Sequence, residues 1–351
     1  MSSAMVSRVL SHFRDRRRVL SIAILLVVFF IATHDRPFIT IMDLNQGLPP
    51  AAEPSAESYA LPVSPPLDQG DSDLCWVYAA LSMLESNYIH DHPGSHIVLS
   101  RGAVQFDSIA DRFARIIRGD PGAHPEDGGL AVEALALIRQ NGVLAQSDFH
   151  DAVDSDDITA SIEDRFAHAA SPDDKRKALD EELKASLGAK PHTTHLDGKA
   201  VTPEELASAV LGGRQFFEFD LARDGVERWG PSQDPEARPE TRVRYVPLDI
   251  LIDLIHQSLA GGRAVVWGST DHALLIYGGD YDKEGKPLSY LIKDSLAPYT
   301  YRRSAEEVHR ILNDVTVSLD DGPADKDGTA AASQAKRSRP PAQALHLASP
   351  W

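Results

Sequence analysis

The sequence predicts an α+β protein of two lobes with a cleft between them, and three observations support this fold class. From Cys75 to about residue 140 the apolar residues recur at helical spacing. Residues 151–241 are polar and charged with scattered helical periodicity, and short β-type runs dominate from residue 242 onward. A helical half followed by a β half, each with its own apolar residues, favours two packed lobes and a binding cleft.

The helical lobe is predicted over residues 61–150. Turn-forming residues precede Cys75, so a helix is expected to begin there, with Ser72 or Asp73 as its N-cap. The apolar residues then repeat with steps of three and four, as expected for helices buried on one face. They are Trp76, Ala79, Ala80, Met83 and Leu84, then Ile109, Phe113, Ile116 and Ile117, then Leu130, Ala134, Leu137 and Ile138.

The polar helical insertion, residues 151–241, and the β-rich lobe, residues 242–319, complete the predicted body. Helices are expected in the insertion around 160–168, 174–187 and 203–211. In the β-rich lobe one helix, Leu248–Leu259, ends at a glycine pair, which is a common helix stop. The predicted strands are Val243–Val246, Ala264–Trp267, Ala273–Tyr277, Ser289–Ile292 and Val315–Leu319.

The chain ends predict a tethered protein. A cationic region, residues 1–18, precedes an apolar run from Val19 to Ala32, so residues 19–33 read as a signal-anchor or signal peptide. The run is shorter than a usual bilayer span, yet no small-x-small cleavage pair follows it. We therefore expect an anchor, a Pro-rich linker over 34–60 and an extracytoplasmic body, periplasmic or extracellular. Cleavage would instead give a secreted protein, and residues 320–351 are predicted to be a disordered tail.

Charge and cysteine content exclude several classes of function. Six arginines against Asp15 and Asp35 give the first 36 residues a charge of +4, so the remainder carries −21 of the total of −17. A body this acidic repels phosphate backbones, which argues against nucleic-acid binding. The sequence holds one cysteine, Cys75, which excludes an internal disulfide and a multi-cysteine metal site.

No resident cofactor or metal is predicted. His90, His92 and His96 have a spacing that can bind a transition metal, but they lie in a Pro/Gly loop at a helix end, where histidines are usually solvated. The sequence gives no indication of oligomeric state.

Cys75 is the sharpest chemical signal, because it opens a helix. Unpaired N–H groups and the helix dipole stabilise an anion in a first turn, which favours a reactive thiolate. The alternative is a small buried hydrophobic residue, the usual environment of a free cysteine. The two possibilities are distinguished by whether a base from elsewhere in the chain reaches the sulfur.

A candidate base lies at the start of a predicted strand. His272 opens an apolar run, a polar turn follows, and Asp294 closes the next run. The two runs make a hairpin, which would place Asp294 near His272, where a carboxylate can hold the imidazole by its far nitrogen.

These segments resemble the papain-like cysteine peptidases, and are more similar to the bleomycin-hydrolase branch than to the secreted cathepsins. The ordered matches span roughly residues 65–296. They comprise Gln69-Gly70 through Cys75-Trp76, Leu99-Ser100 with 103–107, Asp127-Gly128-Gly129, Asn141-Gly142-Val143, Val246-Pro247-Leu248-Asp249 with 262–268, and Asp271-His272-Ala273.

The resemblance implies a peptide or protein substrate and a role for each matched residue. Cys75 would be the nucleophile, His272 its acid/base partner, Asp294 the residue that orients His272, and Gln69 an oxyanion donor. It also implies a substrate-binding set whose glycines pair with an extended peptide. That set is Gly128, Gly129, Trp76 and Asp271.

The sequence also departs from the family pattern. Asp294 stands where the family has asparagine, Leu296 where it has a shielding tryptophan, and Asp73 where it has a glycine beside the nucleophile. The departures leave open a catalytically degenerate papain-like module that binds peptides or partner proteins in the same cleft. Acyl transfer to an acceptor other than water uses the same residues and is also left open.

Overall fold

The computed structural model describes residues 56–319, except 121, 126–127, 234–236, 239–240, 270 and 297–298. The predicted cationic region, membrane segment, most of the linker and the C-terminal tail lie outside these residues. Within the described part of the chain, no helix is both long and apolar enough to cross a bilayer.

A nine-stranded sheet organises the described residues. Its strands run in the order β10-β9-β8-β7-β11-β4-β6-β5, and β8 pairs through its first half with β7 and through its second half with β1. The β2–β3 hairpin forms a separate sheet. The strands are β1 Glu57–Ala60, β2 Thr194–Leu196, β3 Lys199–Val201, β4 Gln215–Leu221, β5 Arg228–Pro231, β6 Arg242–Val246, β7 Val265–Gly268, β8 Ala273–Tyr281, β9 Pro287–Lys293, β10 Thr300–Ser304 and β11 Asp314–Leu319.

The helices pack mainly in the N-terminal half. They are α1 Cys75–Asp91, α2 Arg101–Arg118, α3 Ala131–Asn141, α4 Asp156–His168, α5 Pro172–Leu187, α6 Pro203–Leu211, α7 Leu248–Ala260 and α8 Ala305–Ile311. Helix α1 is buried on almost every side from Trp76 to Tyr88, because it lies between the other helices and strand β8. Its N-terminus, and therefore Cys75, is positioned by the central packing of the molecule.

The predicted insertion, residues 151–241, is not one helical unit. Helices α4 and α5 form a satellite core with α2 around Phe113, Ile162 and Leu183. Helix α6 instead joins the main core through Leu206 and Val210. Strands β4 and β5 belong to the main sheet, where β4 pairs with both β11 and β6. This pairing joins segments far apart in sequence, so local periodicity did not reveal it.

Elements outside the insertion also differ in part from the prediction. Strand β1 lies inside the predicted linker, and pairing with β8 orders it. Strand β10 and helix α8 were not predicted, although Ser304 and Glu307 form the capping box that begins α8. The β8–β9 hairpin was predicted, and its turn is closed by Asp282, whose Oδ1 accepts from the amides of Glu284 and Lys286.

Candidate active site

Cys75 is the first residue of α1 and is partly exposed. The residue that caps the helix is Leu74, without a side-chain capping bond, so the predicted capping by Ser72 or Asp73 is wrong. Ser72 is buried and donates its hydroxyl to the Gln69 carbonyl at 2.7 Å, while Asp73 is exposed. The Ser72 hydroxyl therefore bonds within the loop before α1, and no side chain caps the first turn of the helix, where Cys75 lies.

His272 and Asp294 meet at the open end of the β8–β9 hairpin. His272 precedes β8 and Asp294 follows β9, and the antiparallel pairing of the two strands brings them together. His272 Nε2 lies 2.9 Å from Asp294 Oδ1. Cys75 acts on the same ring, because a hydrogen bond with its side chain and its charge both raise the pKa of His272. Because Asp294 occupies Nε2, Nδ1 is the nitrogen left for the sulfur.

The electrostatics of this group favour a charged imidazole. Burial alone would lower the pKa of His272, but hydrogen bonds and negative charge from Asp294 and Cys75 outweigh burial and raise that pKa to about 9. Burial likewise would raise the pKa of Asp294, yet it is lowered by the bond and charge of His272 and by the Leu296 amide and Tyr301 hydroxyl. At neutral pH the pair is therefore imidazolium and carboxylate.

Gln69 is held beside this group by Ser295. The Ser295 hydroxyl donates to the side-chain Oε1 of Gln69 at 2.6 Å, and the backbone N–H of Gln69 donates to the Ser295 carbonyl at 2.9 Å. Gln69 Nε2 donates to the Ser72 carbonyl at 2.7 Å. The side-chain nitrogen of glutamine carries two hydrogens, so Nε2 can donate one further hydrogen bond. The bonds to Ser295 join the loop before Cys75 directly to the residue after Asp294.

The predicted substrate-binding residues differ in their surroundings. Trp76 is only 1% exposed and packs in the main core, and its assignment as a substrate-binding residue stays a prediction. Gly128 is buried, and its carbonyl accepts from the Arg112 guanidinium. Gly129 is half-buried, and a Cβ there would lie 3.2 Å from Cε2 of Trp76. Asp271 is exposed next to His272. Gly129 and Asp271 therefore keep exposed surface.

A buried ionic network behind the site was not predicted. Glu85 of α1 pairs with the Arg101 guanidinium and accepts from the Leu99 amide at 2.7 Å. Lys293 Nζ donates to Ser64 at 2.8 Å and lies 3.7 Å from Glu85 Oε2. Burial lowers the pKa of Lys293 to about 8, although the Glu85 charge opposes it. The available signal was the carboxylate of Glu85 directly after the apolar pair Met83-Leu84, within a helix whose periodicity predicts burial.

Tyr301 was also not predicted. Its hydroxyl donates to Asp294 Oδ2 at 3.2 Å, and no motif in the sequence marks it. A cavity of about 10 Å³, lined by Lys293, Asp294 and Ser295 among others, lies nearby and is large enough for about one water molecule.

No metal-ligating group is present among the described residues, including the 90–96 segment with its three histidines. His92 instead stacks on Tyr88, with ring centroids 4.2 Å apart. The prediction of no resident cofactor stays a prediction.

The fold is similar to solved structures of papain-like cysteine proteases. PepW from Lactobacillus rhamnosis HN001 matches with a TM-score of 0.60 and 17% identity, over 76% of this chain and 82% of that chain. The Amb a 11 cysteine protease of ragweed pollen, in its proform, matches with a TM-score of 0.36 and 12% identity, over 77% and 67%. Xylellain, a cysteine protease from Xylella fastidiosa, matches with a TM-score of 0.34 and 14% identity, over 78% and 95%.

No protein-family model and no curated protein matches the chain. At 17% identity the match to PepW is evidence of fold. The assignment to the bleomycin-hydrolase branch stays a prediction. The chain therefore has the mixed helix-and-sheet fold of PepW.

Proposed function

We propose that the protein is a thiol peptidase that hydrolyses peptide bonds through an acyl-enzyme on Cys75. The observation that carries this proposal is the imidazole of His272, which is bonded to Asp294 Oδ1 at 2.9 Å and is also acted on by the Cys75 side chain. A nucleophile, a base and a group that orients the base are the minimum arrangement for covalent acyl transfer. The partial exposure of Cys75 argues against its being an inert core residue.

The proposed reaction has two halves, the acylation of Cys75 and the hydrolysis of the resulting thioester. The Cys75 thiolate attacks the substrate carbonyl carbon, and the carbonyl oxygen becomes an oxyanion. Gln69 Nε2 and the Cys75 backbone N–H would donate to that oxygen. His272 then gives its proton to the leaving amine as the C–N bond breaks, which leaves a thioester. Water attacks the thioester carbonyl carbon as His272 takes its proton. The C–S bond then breaks and the acid leaves, so the sulfur is again a thiolate beside the imidazolium.

Asp294 suits this reaction although the family pattern has asparagine. A carboxylate that accepts from Nε2 holds the ring with Nδ1 toward the sulfur. Its negative charge also favours the protonated ring, which stabilises the ion pair with the thiolate. Aspartate in place of asparagine therefore keeps the orienting role and stabilises the positive charge of the His272 ring.

We further propose that the peptidase body acts outside the cytoplasm, tethered by residues 19–33 and the linker over 34–60. The arginine-rich start and the apolar run support this arrangement. Fractionation of cells expressing the full chain tests it: membrane association that survives high salt supports a tether, and a soluble cytoplasmic pool contradicts it.

A peptidyl epoxide tests the proposed activity. The full chain in detergent is expected to gain one inhibitor adduct at Cys75 and to cleave a mixed peptide library. Cys75→Ala and His272→Ala should remove cleavage, while His195→Ala, an exposed histidine on the β2 strand, should not. Stoichiometric binding of peptides without cleavage would favour the binding module, and aminolysed products would favour acyl transfer.

A further inference from the structure

The Asp294 carboxylate has two oxygens with different neighbours. Oδ1 accepts from His272 Nε2 at 2.9 Å and from the Leu296 amide at 3.0 Å. Oδ2 accepts from the Tyr301 hydroxyl at 3.2 Å. The backbone amide and the phenol hold the carboxylate from opposite ends. Rotation of the carboxylate would break the bond from Tyr301 as well as the bond to the ring.

Strand β10 places Tyr301 beside the carboxylate. The strand pairs with β9 so that Tyr301 lies opposite Ile292 and Thr300 opposite Lys293. The Asp294 amide also donates to the Tyr299 carbonyl at 3.2 Å, which closes the turn between the two strands. The phenol therefore stands on a rigid element, bonded in register, rather than on a free loop.

We propose that Tyr301 is a positioning residue of the candidate active site: its hydroxyl fixes the Asp294 carboxylate, and through it the His272 ring, in the orientation that serves Cys75. The inference rests on the proposed function for its chemical meaning. The family pattern has a shielding tryptophan at the position of Leu296. Leu296 is 54% exposed, and in this chain the Tyr301 hydroxyl contacts the carboxylate instead.

Several charged or titratable groups surround Asp294. His272, just before β8, faces it, Tyr299 and Tyr301 lie on the β10 side, and Cys75 acts on the His272 ring. The charge of Arg303 acts on both tyrosines, and Lys293 lines the same small cavity. Burial and the Asp294 charge raise the pKa of Tyr301, so its hydroxyl stays protonated and remains a donor throughout an ordinary assay range.

Alkylation of Cys75 by iodoacetamide tests the proposal without requiring peptide cleavage, because the sequence holds one thiol. At about pH 6 a thiol without an imidazolium partner is almost wholly protonated. The alkylation rate at that pH therefore reports the ion pair. Tyr301→Phe is expected to slow it by about tenfold, since one hydrogen bond to a charged group is lost.

Two controls separate positioning from general damage. Tyr299→Phe keeps the backbone bond to Asp294 and should alkylate like the parent chain. In an Asp294→Ala background, Tyr301→Phe should change the rate by less than about twofold, because the phenol then has no carboxylate to hold. A proton NMR titration of His272 in Tyr301→Phe, expected to show a lower imidazole pKa, gives a second readout.

The proposal is overturned if Tyr301→Phe alkylates at the parent rate, or if it slows alkylation equally with and without Asp294. A parent chain that alkylates rapidly at about pH 6 but cleaves no peptide would refute the peptidase. The alkylation comparison would still decide the role of Tyr301, so the two failures are distinguishable.

Discussion

His272 and Asp294, 22 residues apart in sequence, are joined by a bond of 2.9 Å because they sit at the two strand ends of one hairpin. The separation of ring and carboxylate is therefore governed by strand pairing and is independent of the packing of the helical half. The position of Cys75 is determined by helix α1. The candidate site thus depends on two elements, the hairpin and α1, which pack directly against each other.

Replacing Asp294 with asparagine should shift the pH range of activity. The hydrogen bond and charge of Asp294 raise the pKa of His272, so an amide, which keeps a bond but removes the charge, should lower it from about 9. The imidazolium is then lost at lower pH, and the alkaline limb of kcat/KM should move down. Asp282→Asn, in the turn of the same hairpin, is the control. An unmoved limb in Asp294→Asn would contradict the electrostatic role.

Gln69→Ala should reduce kcat far more than it changes KM. Loss of one oxyanion donor typically costs about 10²–10³ in kcat, because the donor acts mainly on charge that develops in the transition state. Steady-state kinetics on a fluorogenic peptide would measure this, with the exposed Gln233→Ala as control. Gln69 also bonds Ser295 and Ser72, so thermal unfolding of the variant must be recorded. An equal loss through KM alone would place Gln69 in substrate binding.

Glu85→Gln should destabilise the protein strongly. It leaves Arg101 and Lys293 buried without their carboxylate, and breaking a buried ion pair costs about 3–5 kcal/mol. Chemical denaturation measures the loss. The matched control, Asp180→Asn, removes an exposed helical pair with Lys184 and should cost less than about 1 kcal/mol. Similar losses in both variants would show that the network carries no special stability.

The same network predicts an acid-sensitive fold. Burial would raise the pKa of Glu85, but the charges of Arg101 and Lys293 and the hydrogen bonds lower it below its usual 4.5. A lowered folded pKa contributes stability above the unfolded value and loses it as pH falls through the folded value. The unfolding free energy of the parent chain should therefore drop below about pH 4.5, and Glu85→Gln should lose this part of the dependence.

Glu218→Gln should have the opposite effect and stabilise the protein at neutral pH. Burial raises the pKa of Glu218 well above its usual value, and the charges of Asp314 and Asp220 raise it further. A raised folded pKa contributes stability below 4.5, which is lost as pH rises through the folded value.

The glutamine variant should accordingly melt higher than the parent at about pH 8, and the exposed Glu204→Gln should not. A lower melting temperature for Glu218→Gln at that pH would show that the carboxyl is ionised and useful there.

Local sequence predicted the features that local physics determines. The sequence placed the start of α1 at Cys75 and placed α7 within one residue, and two apolar runs separated by a polar turn predicted the β8–β9 hairpin. From that hairpin alone the sequence indicated that Asp294 would approach His272. Antiparallel pairing of consecutive strands makes such an inference possible.

The rest depends on contacts between segments far apart in sequence. Tyr301 reaches Asp294 only because β10 adds to the sheet, and Glu85 meets Lys293 only because α1 packs on β8. Trp76 is buried although its neighbour Cys75 is partly exposed, because α1 is packed on almost every side after its first residue. No periodicity within a single segment contains that information.

On the proposed mechanism, the single cysteine makes the protein vulnerable to oxidants in a specific way. A peroxide that converts the Cys75 thiolate to a sulfenic acid meets no second cysteine in this sequence with which to close a disulfide. Recovery then requires a small thiol or reductase from the surroundings, and continued exposure leads to the sulfinic acid, which is not reduced back. The redox poise of the compartment, rather than any resolving residue in this sequence, would govern how long each molecule keeps its reactive sulfur.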